Sequence, residues 1–167
     1  MRPVDEDSSM EPIDPPTDPI RSILVPTDGS DAATAALEQA LAIAAATDAT
    51  VHLLAVVPVE NPARFDSSDV VGLEEAKERL VDELVEACAG GEVHVSGAVR
   101  RGRPAGAILA FAEETDVDLI VLGRTGRDGV VPPLLGSTTD RVLRGTTIPV
   151  MVLPTIGDDG SDEPRRA

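Results

Sequence analysis

The chain is poor in aromatic residues: among 167 residues it has two phenylalanines, no tryptophan and no tyrosine. Its core must therefore be built from valine, leucine, isoleucine and alanine. Stacking of bases on aromatic side chains, on which single-strand nucleic-acid binding relies, is nearly excluded. The formal net charge of −16 argues the same way, because a phosphate backbone needs a basic surface. We therefore expect no nucleic-acid partner.

Cysteine is also scarce, since Cys88 is the only one in the chain. A single cysteine excludes an internal disulfide framework and a cysteine metal cluster. Cys88 falls on the apolar side of a predicted helix, where we expect a small core residue. The sequence opens with no signal-peptide pattern and has no apolar run long enough to span a membrane. The expected location is the cytoplasm, with no membrane partner.

Lysine is nearly absent: 30 acidic residues face 14 basic ones, and Lys77 is the single lysine. An acidic surface with arginine in place of lysine favours a halophilic source, where a salt-rich cytoplasm screens self-repulsion. An acidic mesophilic protein from a GC-rich genome is the alternative. Melting temperature measured against KCl separates the two.

The two ends of the chain differ in composition from the part between them. Residues 1–19 and 155–167 are rich in proline, acidic residues and small polar residues, and they have few apolar side chains to bury. We predict a disordered tail at each end and one folded domain over residues 20–154.

Within that domain, apolar strand-like runs alternate with amphipathic segments. The runs predict strands over residues 20–27, 50–57, 92–101, 119–122 and 148–153, with helices starting near residues 31, 70, 104 and 137 and a loop over residues 59–69. Buried parallel strands joined by helices form a doubly wound α/β sheet with helices on both faces. In such sheets a ligand lies beyond the carboxyl ends of the strands, where the strand order reverses.

A glycine-rich loop follows the fourth predicted strand. Gly123 and Gly126 lie near its start, and Gly136 precedes Ser137 and Thr138, which open the next helix. Glycines let the backbone approach a ligand, and the free N–H groups of a helix start favour anions. The spacing predicts phosphate binding, with an ordinary helix cap at Ser137 or Thr138 as the alternative. It matches neither a P-loop nor a dinucleotide fingerprint.

The turn after the first strand is Asp28-Gly29-Ser30, in which Ser30 or Asp31 is expected to cap the following helix. If the first and fourth strands are neighbours, this turn and the glycine loop line one crevice. His52 lies alone inside the second predicted strand, where a structural role is expected rather than a metal-binding one.

Four stretches of the domain resemble the universal stress protein family of the adenine-nucleotide-binding α/β superfamily. They are ILVPTDGS at residues 23–30, GRPAGAILAFAEETDVDLIVLG at 102–123, GRTGRDGVVPPLLGS at 123–137 and RVLRGTTIPVMVLP at 141–154. The loop fits the Gly-x2-Gly-x9-Gly-Ser/Thr pattern of nucleotide-binding members without insertion. The resemblance implies strand order 3-2-1-4-5 and a homodimer formed through the last strand, residues 148–153. It also implies a stress-response role in which ATP, AMP or another adenine nucleotide, with Mg²⁺, is a regulatory ligand.

The resemblance also implies roles for individual positions. Those expected to lie near the nucleoside are Pro26, Thr27, Asp28 and the backbone of Val56. Those expected near ribose and phosphates are Gly123, Gly126, Gly136, Ser137 and Thr138. Arg124 and Arg127 are expected either to add charge or to be ordinary exposed arginines. Asp28 has an alternative role as a cap of the following helix.

The loop departs from the family pattern at Thr125, where histidine is common, and at Pro132-Pro133, which removes two backbone donors. These departures leave open a dimeric interaction module that binds no nucleotide. An adenylating or pyrophosphatase enzyme is a weaker alternative, because such enzymes carry a Ser-Gly-Gly-x-Asp-Ser loop after the first strand. No catalytic residue and no protein-held metal are expected.

Overall fold

Strands and helices alternate throughout the computed structural model, which describes residues 10–59, 67–125 and 135–154. In chain order the elements are β1 (Ser22–Pro26), α1 (Asp31–Thr47), β2 (Thr50–Pro58), α2 (Ser67–Cys88), β3 (Val95–Gly102), α3 (Pro104–Glu114), β4 (Leu119–Gly123), α4 (Ser137–Gly145) and β5 (Val150–Leu153). The predicted alternation is confirmed. No helix in the described ranges is long and apolar enough to cross a membrane.

The five strands form one parallel sheet in the order β3-β2-β1-β4-β5, as the resemblance implied. The chain moves outward from β1 to β3, then returns to the other side of β1 for β4 and β5. The order therefore reverses at β1, and the connections leaving β1 and β4 diverge there. A crevice at the carboxyl ends of β1 and β4 is the geometric consequence.

Each face of the sheet carries its own apolar core. On one face α1 and α2 cover side chains that include Ile23, Val25 and Val121. On the other, α3 and α4 cover Leu24, Leu54 and Ile120. Alternate residues of β1 thus enter opposite cores, and the central strands are buried on both faces.

Several boundaries differ from the predicted ones for local reasons. β1 begins at Ser22 rather than residue 20, because the N–H groups of Arg21 and Ser22 both donate to a carboxylate oxygen of Asp118. β5 begins at Val150 rather than residue 148, since the N–H of Ile148 donates to the hydroxyl of Thr146 in a local turn.

The predicted loop at residues 59–69 is wrong at its end, because α2 already begins at Ser67. Serine is common at helix starts, so the two serines at 67 and 68 agree with this boundary. The apolar period begins only at Val70, which is why the sequence predicts a later start. β3 begins at Val95, later than the predicted residue 92, and it lies at the sheet edge as its alternating pattern indicated.

Cys88 and His52, both expected to be structural residues, pack within the fold. Cys88 packs against the core between the sheet and α1 and α2, where burial raises the pKa of its thiol. His52 places Nδ1 2.8 Å from the hydroxyl of Ser96 and its ring edge against Phe111. Burial, assisted by His94, lowers the pKa of His52. Both roles agree with the predictions.

Candidate functional site

The turn after β1 is held by its own side chains. The Gly29 N–H donates to the hydroxyl of Thr27, and the Ser30 N–H donates to Oδ1 of Asp28. Gly29 has a φ of 81°, which favours glycine. The cap of α1 is Ser30, whose Oγ accepts from the Ala33 N–H at 3.2 Å. Asp28 is therefore not the helix cap, and its carboxylate faces the carboxyl end of the sheet beside β1.

The end of β4 lies in direct contact with the start of α1. A Cβ on Gly123 would lie 2.8 Å from the Cβ of Ala32 and 2.9 Å from its carbonyl carbon and oxygen. No side chain fits in that space. Glycine at the end of β4 is thus required by packing, and the same contact brings the backbones of the two loops together.

The start of α4 is attached to the end of β4 by two hydrogen bonds. The Gly136 N–H donates to the Arg124 carbonyl at 2.9 Å, and the Thr139 hydroxyl donates to the Gly123 carbonyl at 3.0 Å. The N–H of Arg124 donates in turn to Leu153 of β5. These bonds fix the direction of α4 relative to the sheet.

The residue that caps α4 is Gly136, and no side-chain cap bond is made there by the described residues. The prediction of an ordinary cap at Ser137 or Thr138 is therefore wrong, because both lie inside the first turn. The first intrahelical bond runs from the Asp140 N–H to the Gly136 carbonyl. The N–H groups of the three residues between them have no intrahelical acceptor. Since the Gly136 N–H is already donated to Arg124, those three are the donors this helix start offers a ligand.

The backbone of Val56 faces the same crevice. Along β2, Thr50 and Leu54 bond toward β1, whereas Val51 and Val59 bond toward β3. Because bonding direction alternates along a parallel strand, Val56 directs its N–H and C=O toward β1. The β1 ladder ends with Pro26 opposite Leu54, and Thr27 adds one bond to the Leu54 carbonyl. The peptide groups of Val56 therefore lie past the end of β1 and face the crevice.

These features surround one cavity of about 460 Å³ at the carboxyl end of the sheet. The predicted site residues that line it are Pro26, Thr27, Asp28, Val56, Gly123, Gly136, Ser137 and Thr138. Arg124 does not line the cavity, and its backbone bonds close the loop instead. Gly126, Arg127 and Pro132-Pro133 lie outside the described residues.

Other lining residues were not among the predicted ones. The apolar wall includes Leu54, Ile108 and Leu122, which belong to the core between the sheet and α3 and α4. Thr125 is buried, with 7% exposure, and lines the cavity. Lys77 of α2 and Arg141 of α4 supply positive charge. No sequence pattern marks Lys77 or Ile108, because their position over the crevice depends on how each helix docks on the sheet.

The charge of the cavity wall differs in sign from that of the chain. Among the described residues that line it, the charged side chains are Asp28, Lys77 and Arg141. Two cations thus face one carboxylate in a chain of net charge −16. The amino end of α4 adds its partial positive charge. Within the described ranges, no three His, Cys, Asp or Glu side chains converge to hold a metal ion.

Fold and cavity together define a doubly wound α/β protein with a ligand-sized crevice at the point where its strand order reverses. The model of the universal stress protein family matches residues 19–154. A universal stress protein of Methanocaldococcus jannaschii is 37% identical over 141 residues, covering 80% of this chain and 81% of that protein. The chain therefore belongs to the universal stress protein family.

Two solved structures show the same likeness. The universal stress protein UspA from Lactobacillus plantarum aligns with a TM-score of 0.71 at 29% identity, covering 81% of this chain and 99% of that one. A universal stress protein crystallised in complex with cAMP aligns with a TM-score of 0.64 at 26% identity, covering 81% of this chain and 98% of that one.

Proposed function

We propose that this protein binds an adenine nucleotide, ATP or a related form such as AMP, in the crevice between β1 and β4. The observation that carries the proposal is the arrangement of two kinds of backbone group around one cavity. The peptide edge of Val56 lies on the β2 side, and the free N–H groups of the α4 start lie on the other. A base and a phosphate group have the chemistry that these two ends complement.

The binding mode follows from this arrangement. The base lies against Pro26 and Thr27 and bonds to the Val56 backbone, while Asp28 contacts the ribose. The phosphates lie at Ser137 and Thr138, close to Gly123 and Gly136. Gly126 and Arg127 are proposed to border the phosphates, whereas Arg124 contributes through the backbone bonds that fix the start of α4. The related protein crystallised with cAMP supports an adenine ligand.

Mg²⁺ fits this site as a companion of the nucleotide. Asp28 supplies one hard oxygen ligand in the cavity, and the hydroxyls of Ser137 and Thr138 lie in the same wall. Mg²⁺ commonly binds through one carboxylate together with ligand phosphates. The residues therefore suit an ion that arrives with the phosphates and neutralises part of their charge.

The proposed role is regulatory rather than catalytic, and it is exercised in the cytoplasm during a stress response. The turn Asp28-Gly29-Ser30 lacks the Ser-Gly-Gly-x-Asp-Ser sequence of the superfamily's adenylating enzymes. Oδ1 of Asp28 and Oγ of Ser30 accept backbone N–H groups that hold the turn and cap α1, which is a structural use of these two atoms. Ligand occupancy would then change the state of the protein rather than be followed by rapid turnover.

Calorimetric titration of ATP with Mg²⁺ tests the binding, using a variant that spares the fold. Ser137→Asp puts a negative charge in the first turn of α4, where an acid stabilises a helix but repels a phosphate. Thr147→Asp is the matched control, because Thr147 is exposed and does not line the cavity. We expect binding to be lost in Ser137→Asp and kept in Thr147→Asp. A wild-type protein that is folded but gives no heat with ATP, AMP or cAMP contradicts the proposal.

A homodimeric interaction module is the second candidate, and β5 favours it. This strand lies at the edge of the sheet, reads Val-Met-Val-Leu and is only half-buried in the single chain. An apolar edge strand needs a cover. We propose that residues 148–153 pair with the same segment of a second copy. Such a dimer is compatible with nucleotide binding. If the protein binds no nucleotide, dimer formation would be its main function.

A further inference from the structure

Lys77 reaches the cavity from a helix that the glycine motif does not include. It is half-buried in the cavity wall, whereas most of its charged neighbours on α2 are exposed. It is also the single lysine among 14 basic residues. A flexible stem that carries a compact ammonium group can follow a mobile anion, which a planar guanidinium does less readily.

Two contacts hold this part of α2 in place, one turn before Lys77 and one turn after it. Before it, Glu74 pairs through both carboxylate oxygens with Arg101 at the end of β3, an arrangement that lowers the pKa of Glu74. After it, Val81 packs directly on Gly97, and a Cβ on that glycine would overlap the valine side chain. These two contacts fix the turn of α2 that carries Lys77, and so they fix where Lys77 lies in the cavity wall.

The second cation comes from the opposite direction. Arg141 lies on α4, one turn after Ser137, and lines the same cavity. α2 and α4 cover opposite faces of the sheet, and they follow strands on opposite sides of β1. A ligand in the crevice is consequently flanked by positive charge on both sides, with Asp28 as the single acidic side chain among the described lining residues.

We infer that Lys77 and Arg141 make this crevice selective for nucleoside di- and triphosphates over monophosphates and cyclic nucleotides. The inference rests on the proposed nucleotide binding and specifies its ligand class. Coulomb attraction scales with the charge of the ligand, so two cations stabilise ATP more than AMP and do little for uncharged adenosine. The backbone contacts of Val56 serve the base alike in all of these ligands, and they cannot discriminate among them.

The inference also accounts for how an acidic chain binds a polyanion. At distances beyond about 8–10 Å, physiological salt screens the repulsion from the acidic surface. At the cavity wall the charge is positive, because two cations and one carboxylate line it among the described residues. The two cations therefore govern the energy of the bound state, while the overall charge mainly lowers the association rate at low salt.

The test is calorimetric titration of adenosine, cAMP, AMP, ADP and ATP at fixed salt and saturating Mg²⁺. The variants are Lys77→Met and Arg141→Met, with Lys77→Arg to restore the charge at position 77. The matched controls are Arg79→Met on α2 and Arg144→Met on α4, which remove exposed cations that do not line the cavity. Thermal unfolding of each variant verifies that it is folded.

For wild type we expect affinity to rise from cAMP and AMP through ADP to ATP. Each cavity variant should weaken ATP binding about tenfold, as expected for a lost charge-assisted contact, and change adenosine binding by less than about twofold. Lys77→Arg should recover most of the ATP affinity, and both controls should match wild type.

Two results overturn the inference while nucleotide binding stands. One is ATP affinity in Lys77→Met and Arg141→Met within about twofold of wild type, and the other is an equal loss for adenosine and ATP, which marks a packing role. A folded wild type that binds none of the five ligands overturns the proposed function and the inference with it.

Discussion

Gly123 packs directly against Ala32, and only glycine fits at position 123. A Cβ there would lie 2.8 Å from the Cβ of Ala32. This contact sets how closely the start of α1 approaches the end of β4. The turn after β1 and the loop after β4 are thus brought together by packing before any ligand binds. The crevice is a product of the fold rather than of its occupant.

Gly123→Ala should therefore destabilise the protein. The added methyl group must displace the first turn of α1, and overpacking of this kind costs about 1–3 kcal/mol of unfolding free energy. Gly106→Ala is the control, because nothing lies within 4 Å of a Cβ there and alanine favours the interior of α3. Denaturant unfolding of both variants measures the difference. Equal stability of the two would show that α1 yields without cost.

Thr139→Val should weaken both the fold and ligand binding. Thr139 is buried, and its hydroxyl donates to the carbonyl of Gly123. Valine keeps the shape but leaves a buried carbonyl without that donor, at a cost of about 1–3 kcal/mol. Thr139→Ser retains the hydroxyl and should lose less. Unfolding curves and ATP titration report the two effects, and a Thr139→Val protein with wild-type ATP affinity would show that α4 is positioned by other contacts.

His52 should make stability depend on pH in the acidic range. Because burial lowers the pKa of His52 in the folded state, the unfolded chain binds more protons between that lowered pKa and the ordinary histidine value of 6.5. Stability contributed by the neutral ring is present above pH 6.5 and is lost as pH falls through the folded pKa. Unfolding free energy measured across this range should decline more steeply in wild type than in His52→Gln. Identical slopes would mean that the ring is protonated in place without cost.

Val152→Pro should dissociate the proposed dimer without unfolding the chain. Bonding direction alternates along β5: Pro149 and Leu153 accept bonds from β4 residues, so Val152 faces the free edge. Proline there removes an outward donor, as edge strands tolerate. Met151→Pro removes a donor that faces β4 and should destabilise β5 itself. Light scattering gives the mass of each variant, and a monomeric wild type would contradict the proposed dimer.

The acidic surface should make stability rise with added KCl. Salt screens the mutual repulsion of exposed carboxylates, such as those of Glu75, Glu78 and Glu83 on α2. Replacing these three with glutamine should flatten the response of melting temperature to KCl. The halophilic source expected from composition stays a prediction, and a flat wild-type response would count against it.

The parallel sheet was predictable from the buried strand runs and helix periods, and its order from the family resemblance, which agreed with them. The family resemblance predicted that Val56 and the residues of the β1 turn lie at one edge of the sheet, and they do line one cavity there, while their roles stay predictions. Nothing in the sequence pattern distinguishes Lys77 from the other charged residues of α2. Its place in the cavity depends on the packing of α2 against Gly97 and Arg101, which lie far away in sequence.

The residue that caps α4 was harder to predict, for a different reason. Hydroxyl residues at 137 and 138 have the chemistry of a cap, yet the glycine before them takes that position. The N–H of Gly136 donates to the carbonyl of Arg124, and this bond joins the start of α4 to the end of β4. The preference of serine and threonine for the cap position did not decide the cap of α4. The hydrogen bond between Gly136 and Arg124 places Gly136 there instead.

That hydrogen bond, from the Gly136 N–H to the Arg124 carbonyl, fixes the start of α4 to the end of β4. The cost of closing the chain between them grows slowly with length, by about 0.6 kcal/mol for each doubling. Insertions, deletions or exchanged sequences in it should leave β4 and α4 in register. The stretch between Arg124 and Gly136 is thus one continuous piece of sequence that can be exchanged between relatives while β4 and α4 keep their positions.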